Sequence, residues 1–153
     1  MNAYLIVKWI HVLLAVTALG TNITYGLWFT RAAREPEHLA FTLRGIKLLD
    51  DRLANPAYGL LLITGGVMVG LGKIPWTTPW LLTSLILYVI AVALAAASYT
   101  PTLRRQIAAL AAGGANSAQY QELAARGTRI GILISILIVV IVFMMVTKPT
   151  LWG

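Results

Sequence analysis

Apolar residues fall along this chain in four long runs, separated by two polar connections and one short turn. The runs cover residues 4–29, 53–71, 79–99 and 130–147. Each holds on the order of 20 residues, enough for a helix to cross a hydrocarbon core of about 30 Å. Backbone amides in lipid must pair within their own segment, which leaves helices as the spanning element. The pattern therefore predicts an all-α fold: one polytopic domain over residues 1–153, a bundle of four transmembrane helices. Lys73, Pro75 and Pro79 mark the short turn, making the second and third helices antiparallel neighbours. Pro101 is expected to end the third helix and Lys148-Pro149 the fourth.

The connections, residues 30–52 and 100–129, also carry a helical period. Leu39, Leu43, Ile46 and Leu49 repeat on one side, with Arg44 and Lys47 on the other. This spacing predicts a short amphipathic helix lying on the inner leaflet. Leu103, Ile107 and Leu110 extend a period past Pro101 until Gly113-Gly114, and residues 116–125 form a capped run into the fourth span. Ala18-Leu19-Gly20 faintly imitates a signal-peptide cleavage site, but the apolar run continues to Phe29, so an uncleaved first helix is expected.

Charge orients the bundle. Of twelve Lys and Arg residues, nine lie in the two long connections, while only Lys8, Lys73 and Lys148 lie at the other end. The excess places both connections in the cytoplasm and the N- and C-termini outside, in a bacterial inner (plasma) membrane. Trp9, Trp76, Trp80 and Trp152 fall at the outer boundary and Trp28 at the inner. A net charge of +7 confined to connections fits an anionic inner leaflet as partner rather than nucleic acid. The composition, 59% hydrophobic and 11% charged with mean hydropathy +0.80, excludes a soluble domain. With no cysteine, thiolate metal sites, iron–sulfur clusters and cysteine nucleophiles are excluded. Phosphate-binding glycine loops, HExxH and serine–histidine–acid sets are also missing, and no carboxylate is expected within the membrane.

In the first helix Tyr4, Lys8, His11, Ala15, Ala18, Asn22, Tyr25 and Phe29 form one stripe, which should face the other helices. His11 then points inward, roughly 10 Å below Tyr4 at 1.5 Å per residue. Aligned by depth, the outer half of the bundle gathers Lys8, His11, Met68, Ser84, Met144 and Met145. An imidazole among thioethers, with a cation one turn above, suits haem iron with Lys8 at a propionate, or a copper ion. The plainer reading is a histidine bonded to a hydroxyl or carbonyl, a snorkelling lysine and packing methionines. His38, beside Glu35 and Glu37, reads as solvated. A second polar layer, with Asn22, Tyr25, Asn55, Tyr58, Ser98, Tyr99 and Ser135, is explained by interhelical hydrogen bonds. Gly59, Gly65, Gly66, Gly70 and Gly131 allow close backbone approach or a subunit contact, and Asp50-Asp51-Arg52 caps or anchors the second helix.

The segment Tyr4-Leu5-Ile6-Val7-Lys8-Trp9-Ile10-His11 resembles the opening of HemJ-type protoporphyrinogen oxidases, four-helix bacterial membrane proteins with Lys-x-x-His in the first helix. Asn55-Pro56, Thr64-Gly65, Trp80-Leu81 and Val146-Thr147-Lys148-Pro149 continue the similarity over nearly the whole chain. The chain looks closest to a neighbouring family of uncharacterised predicted integral membrane proteins, in the wider group that includes CopD-like copper-resistance domains. The resemblance implies haem b at His11, a functional Lys8 and oxidation of a tetrapyrrole precursor. Two positions depart from it: Thr83 or Ser84 stands where those oxidases have a third-helix lysine, and Tyr99 where they have a histidine. The expected function is a haem b-binding membrane protein with a redox or electron-transfer role. The alternatives are a non-catalytic subunit of a homo-oligomer or larger membrane complex, and a copper-handling protein.

Overall fold

The computed structural model describes residues 2–151, so Trp152 of the aromatic belt lies outside the described residues. The chain is helical nearly throughout: α1 (Ala3–Ala32), α2 (Leu39–Leu49), α3 (Asn55–Gly72), α4 (Pro79–Leu94), α5 (Thr100–Gly113) and α6 (Ala118–Thr147). Among the described residues four helical rods are long and apolar enough to cross a membrane, as the four runs predict. Asn2 caps α1, its side chain accepting from the Tyr4 amide at 3.1 Å, and Ser117 caps α6 by accepting from Tyr120. Lys73 and Lys148 close α3 and α6 in the left-handed conformation, at φ 50° and 46°.

The rods outrun the bilayer. α6 has 30 residues, about 45 Å at 1.5 Å per residue, against a hydrocarbon core of about 30 Å. The surplus gathers at the end carrying the two long connections, called here the basic end. There α2, α5 and the first turns of α6 enclose a core of Leu39, Leu43, Ile46, Leu103, Ala109 and Tyr120. The amphipathic α2 is present, with Leu39, Leu43 and Ile46 buried where it packs on α5, while Phe41 and Leu48 stay exposed. Leu43 is fully buried, whereas Leu49, expected on the same face, is exposed.

Pro101 does not end the third helix. The rod runs unbroken from Pro79 to Gly113, and its partner from Pro36 to Gly72. Each absorbs its internal proline with a π-helical turn just upstream, Asp50–Ala54 before Pro56 and Ala95–Tyr99 before Pro101. A proline has no N–H and its ring crowds the carbonyl four residues back. Widening the turn relieves both problems: the Asn55 amide bonds the Asp50 carbonyl, and the Thr100 amide bonds that of Ala95.

Laterally, α1 packs on α3, α4 on α6, and α1 meets α6 between those pairs. Gly72 receives the ring of Tyr4, where a Cβ would come within 3.1 Å, and Gly65 receives His11. Steps of seven residues on both strands of this seam describe an antiparallel pair in register. Despite their short turn, α3 and α4 pack less closely, and the Tyr88 hydroxyl reaches across to donate to the Tyr58 carbonyl.

Candidate functional site

The expected stripe on α1 holds for most of its length. Ala18 and Tyr25 are buried and Tyr4, His11, Ala15, Asn22 and Phe29 half-buried, but Lys8 is exposed. The His11 ring lies on α3, with Nδ1 2.7 Å from the Thr64 hydroxyl. That hydroxyl has its own acceptors in the carbonyls of Leu60 at 2.8 Å and Leu61 at 3.3 Å. With its single proton on a carbonyl, its lone pair can accept from Nδ1–H. That pairing favours the Nδ1–H tautomer, with the lone pair on Nε2, and no hydrogen bond engages Nε2 among the described residues. A Cβ on Gly65 would stand 3.3 Å from Cε1, so the glycine makes room for the ring.

The other candidates divide between two seams. By the α1–α3 register Met68 faces Lys8, one turn from His11. Ser84 and Met144 are buried on α4 and α6, the second closely packed pair, with Met145 half-buried beside them. The Ser84 hydroxyl is fully buried and donates to the carbonyl of Trp80 on its own helix. Lys148 stands 5.4 Å over the Trp80 ring, tying the ends of α6 and α4. Among the described residues no group of three or more His, Asp or Glu side chains is placed to hold a metal. His38 is exposed beside Glu37, as expected.

The second polar layer holds more than hydrogen bonds. Asn22 donates to the Tyr58 hydroxyl, the interhelical bond foreseen for this layer. Around it opens a cavity of about 700 Å³ between α1 and α6, floored by Asp50, Tyr58 and Tyr99. Asp50 is not a helix cap. It sits within the first π turn, 5% exposed, and accepts from the Thr100 hydroxyl at 3.1 Å. Tyr99, from the second π turn, lies against Gly131 of α6, where a Cβ would be 3.6 Å from its ring. Asp50 and Tyr99 each precede a proline, in Asp50…Asn55-Pro56 and Tyr99-Thr100-Pro101, and that recurrence was the available signal. A smaller void of about 20 Å³ lies between Tyr58, Tyr88 and Ile138, and neither cavity is lined by His11.

No curated protein and no solved structure matches this chain. The model of one family, described as "Predicted integral membrane protein (DUF2269)", matches residues 5–149. That match takes in all four rods and both seams, and the chain belongs to this family of predicted integral membrane proteins.

Proposed function

We propose that this chain is a haem b-binding protein of the bacterial inner membrane with a redox or electron-transfer role, His11 being the residue that would hold the iron. The observation that carries the reading is the His11–Thr64 pair: with the hydroxyl able to donate to Leu60, Nδ1–H can donate to Thr64, which leaves Nε2 free of hydrogen bonds among the described residues. This is the arrangement of ligating histidines, whose other ring nitrogen is oriented by an acceptor. Bound haem supplies one-electron chemistry. The exposed Lys8, one turn nearer the end of α1, would supply a cation for a propionate, and Met68, opposite Lys8 in the α1–α3 register, would be the candidate second ligand on that seam. Met144 and Met145 lie in the other seam. The opening Lys8-x-x-His11 shared with HemJ-type oxidases supports the same reading. Tetrapyrrole oxidation is less supported, since the Ser84 hydroxyl is committed to Trp80 and does not stand in for a lysine.

The orientation proposed is basic end in the cytoplasm, from the nine-to-three bias of Lys and Arg. An absorbance spectrum of the detergent-purified protein, oxidised and then reduced, tests the main reading. A Soret band is expected, and His11→Ala should remove it while helical content stays. A colourless wild type made with adequate haem supply ends the idea.

One observation favours a second reading, a non-catalytic subunit. Gly59, Gly66 and Gly70 on α3 have nothing within 4 Å of a Cβ, so this glycine face is unpartnered within the chain. That reading predicts co-purifying partners and tolerance of His11→Ala. Copper at His11 would depend on methionine sulfur and would appear in metal analysis without porphyrin absorbance.

A further inference from the structure

The cavity at the basic end is independent of His11 and has its own chemistry. Asp50 is its one buried charged group. The partners of that carboxylate are neutral: the Thr100 hydroxyl at 3.1 Å and the Asn55 amide at 3.5 Å. The lysine one turn before it, Lys47, is paired with Asp51, and no salt bridge reaches Asp50 among the described residues. A carboxylate withdrawn from water with no cation bonded to it is unfavourable unless a proton or a bound cation neutralises it.

A second observation points into the same space. The Tyr25 side chain lines the cavity, is 5% exposed, and its hydroxyl has no hydrogen-bond partner among the described residues. Buried phenols ordinarily find one. The lining is mainly apolar, with Phe29, Tyr58, Tyr99 and the exposed Ile132, and Thr128 and Ser135 among its polar members. Aromatic faces around a carboxylate favour a cation, and about 700 Å³ is within the range of small-molecule sites. Arg34 also borders the cavity, but it is exposed, so water and salt screen its charge.

We propose that the cavity between α1 and α6 binds a lipophilic organic ammonium ion, its N–H groups donating to Asp50 and to the Tyr25 hydroxyl oxygen and its apolar body lying in the slot toward Ile132. A neutral amphiphile of the same shape leaves Asp50 uncompensated, and an anionic one adds repulsion.

The test uses the full chain in detergent micelles, with 2-naphthylmethylammonium as probe and 2-naphthylmethanol as neutral counterpart. Naphthyl fluorescence is titrated against protein and against micelles alone. The ammonium is expected to bind at least tenfold more tightly than the alcohol. Asp50→Asn should erase that preference, Asp50→Glu should restore part of it, and Tyr25→Phe should weaken ammonium binding several-fold. His11→Ala should change none of this, so failure here is separable from failure of the haem reading. Circular dichroism and thermal melting monitor folding of each variant. If Asp50→Asn does not fold, the wild-type preference and the effect of Tyr25→Phe decide. Equal binding of both probes, no binding above micelles alone, or a preference that survives Asp50→Asn overturns the proposal.

Discussion

A methyl group placed on Gly65 would stand 3.3 Å from Cε1 of His11, closer than most carbon contacts. The ring cannot retreat freely, because Nδ1 is held by Thr64 at 2.7 Å. Gly65→Ala should therefore strain the α1–α3 seam by about 1 kcal/mol, as modest overpacking does. Its neighbour Gly66 has open space and serves as control. Thermal unfolding in detergent should show a lowered Tm for Gly65→Ala and none for Gly66→Ala. A lowered Tm for Gly66→Ala instead would point to a second subunit on that face.

Thr64 gives a sharper probe of the tautomer. Thr64→Val keeps the shape and removes the acceptor for Nδ1–H, whereas Thr64→Ser keeps the hydroxyl. Loss of an orienting partner typically weakens metal binding about 10–100-fold. Haem titration should find that loss for Thr64→Val and near-parent affinity for Thr64→Ser. Equal affinities would mean that Nδ1 is not oriented by this hydroxyl.

Leu43 is fully buried in the helical layer at the basic end. Leu43→Ala should cost about 2–5 kcal/mol of local stability, the range for large-to-small core changes. Because the spanning rods are held by other contacts, the expected consequence is release of α2 from α5. Limited proteolysis should then cut near Arg44 or Lys47 at lower protease levels than in the parent.

The four rods were legible because lipid permits one solution for a run of some twenty apolar residues. The inward stripe of α1 was legible for the same reason, and with it His11. Lys8, read as an inward cation, is exposed, as a long lysine stem allows. The pairing of His11 with Thr64 was not legible, since depth alignment of straight rods sets height and not rotation. Asp50 was missed for another reason. Helix rules treat an acidic residue before a proline as a cap, and Pro101 as a stop, but the rods continue through both by widening. Widened turns rotate Asp50 and Tyr99 into a space that no periodicity of 3.6 anticipates.

That rotation predicts what the prolines do. Pro101→Ala restores a backbone N–H and removes the ring from the preceding turn. The segment Ala95–Tyr99 can then tighten to ordinary helix, turning Tyr99 by about 100°, one residue's rotation at 3.6 per turn. Tyr99 would leave Gly131, and Thr100 would leave Asp50. The chain has no cysteine, so a Tyr99→Cys, Gly131→Cys pair can be bridged without background. A short bis-methanethiosulfonate should link the pair efficiently when Pro101 is present and several-fold less when Pro101→Ala is added. Undiminished linking would show that packing on α6, and not the proline, keeps the turn wide.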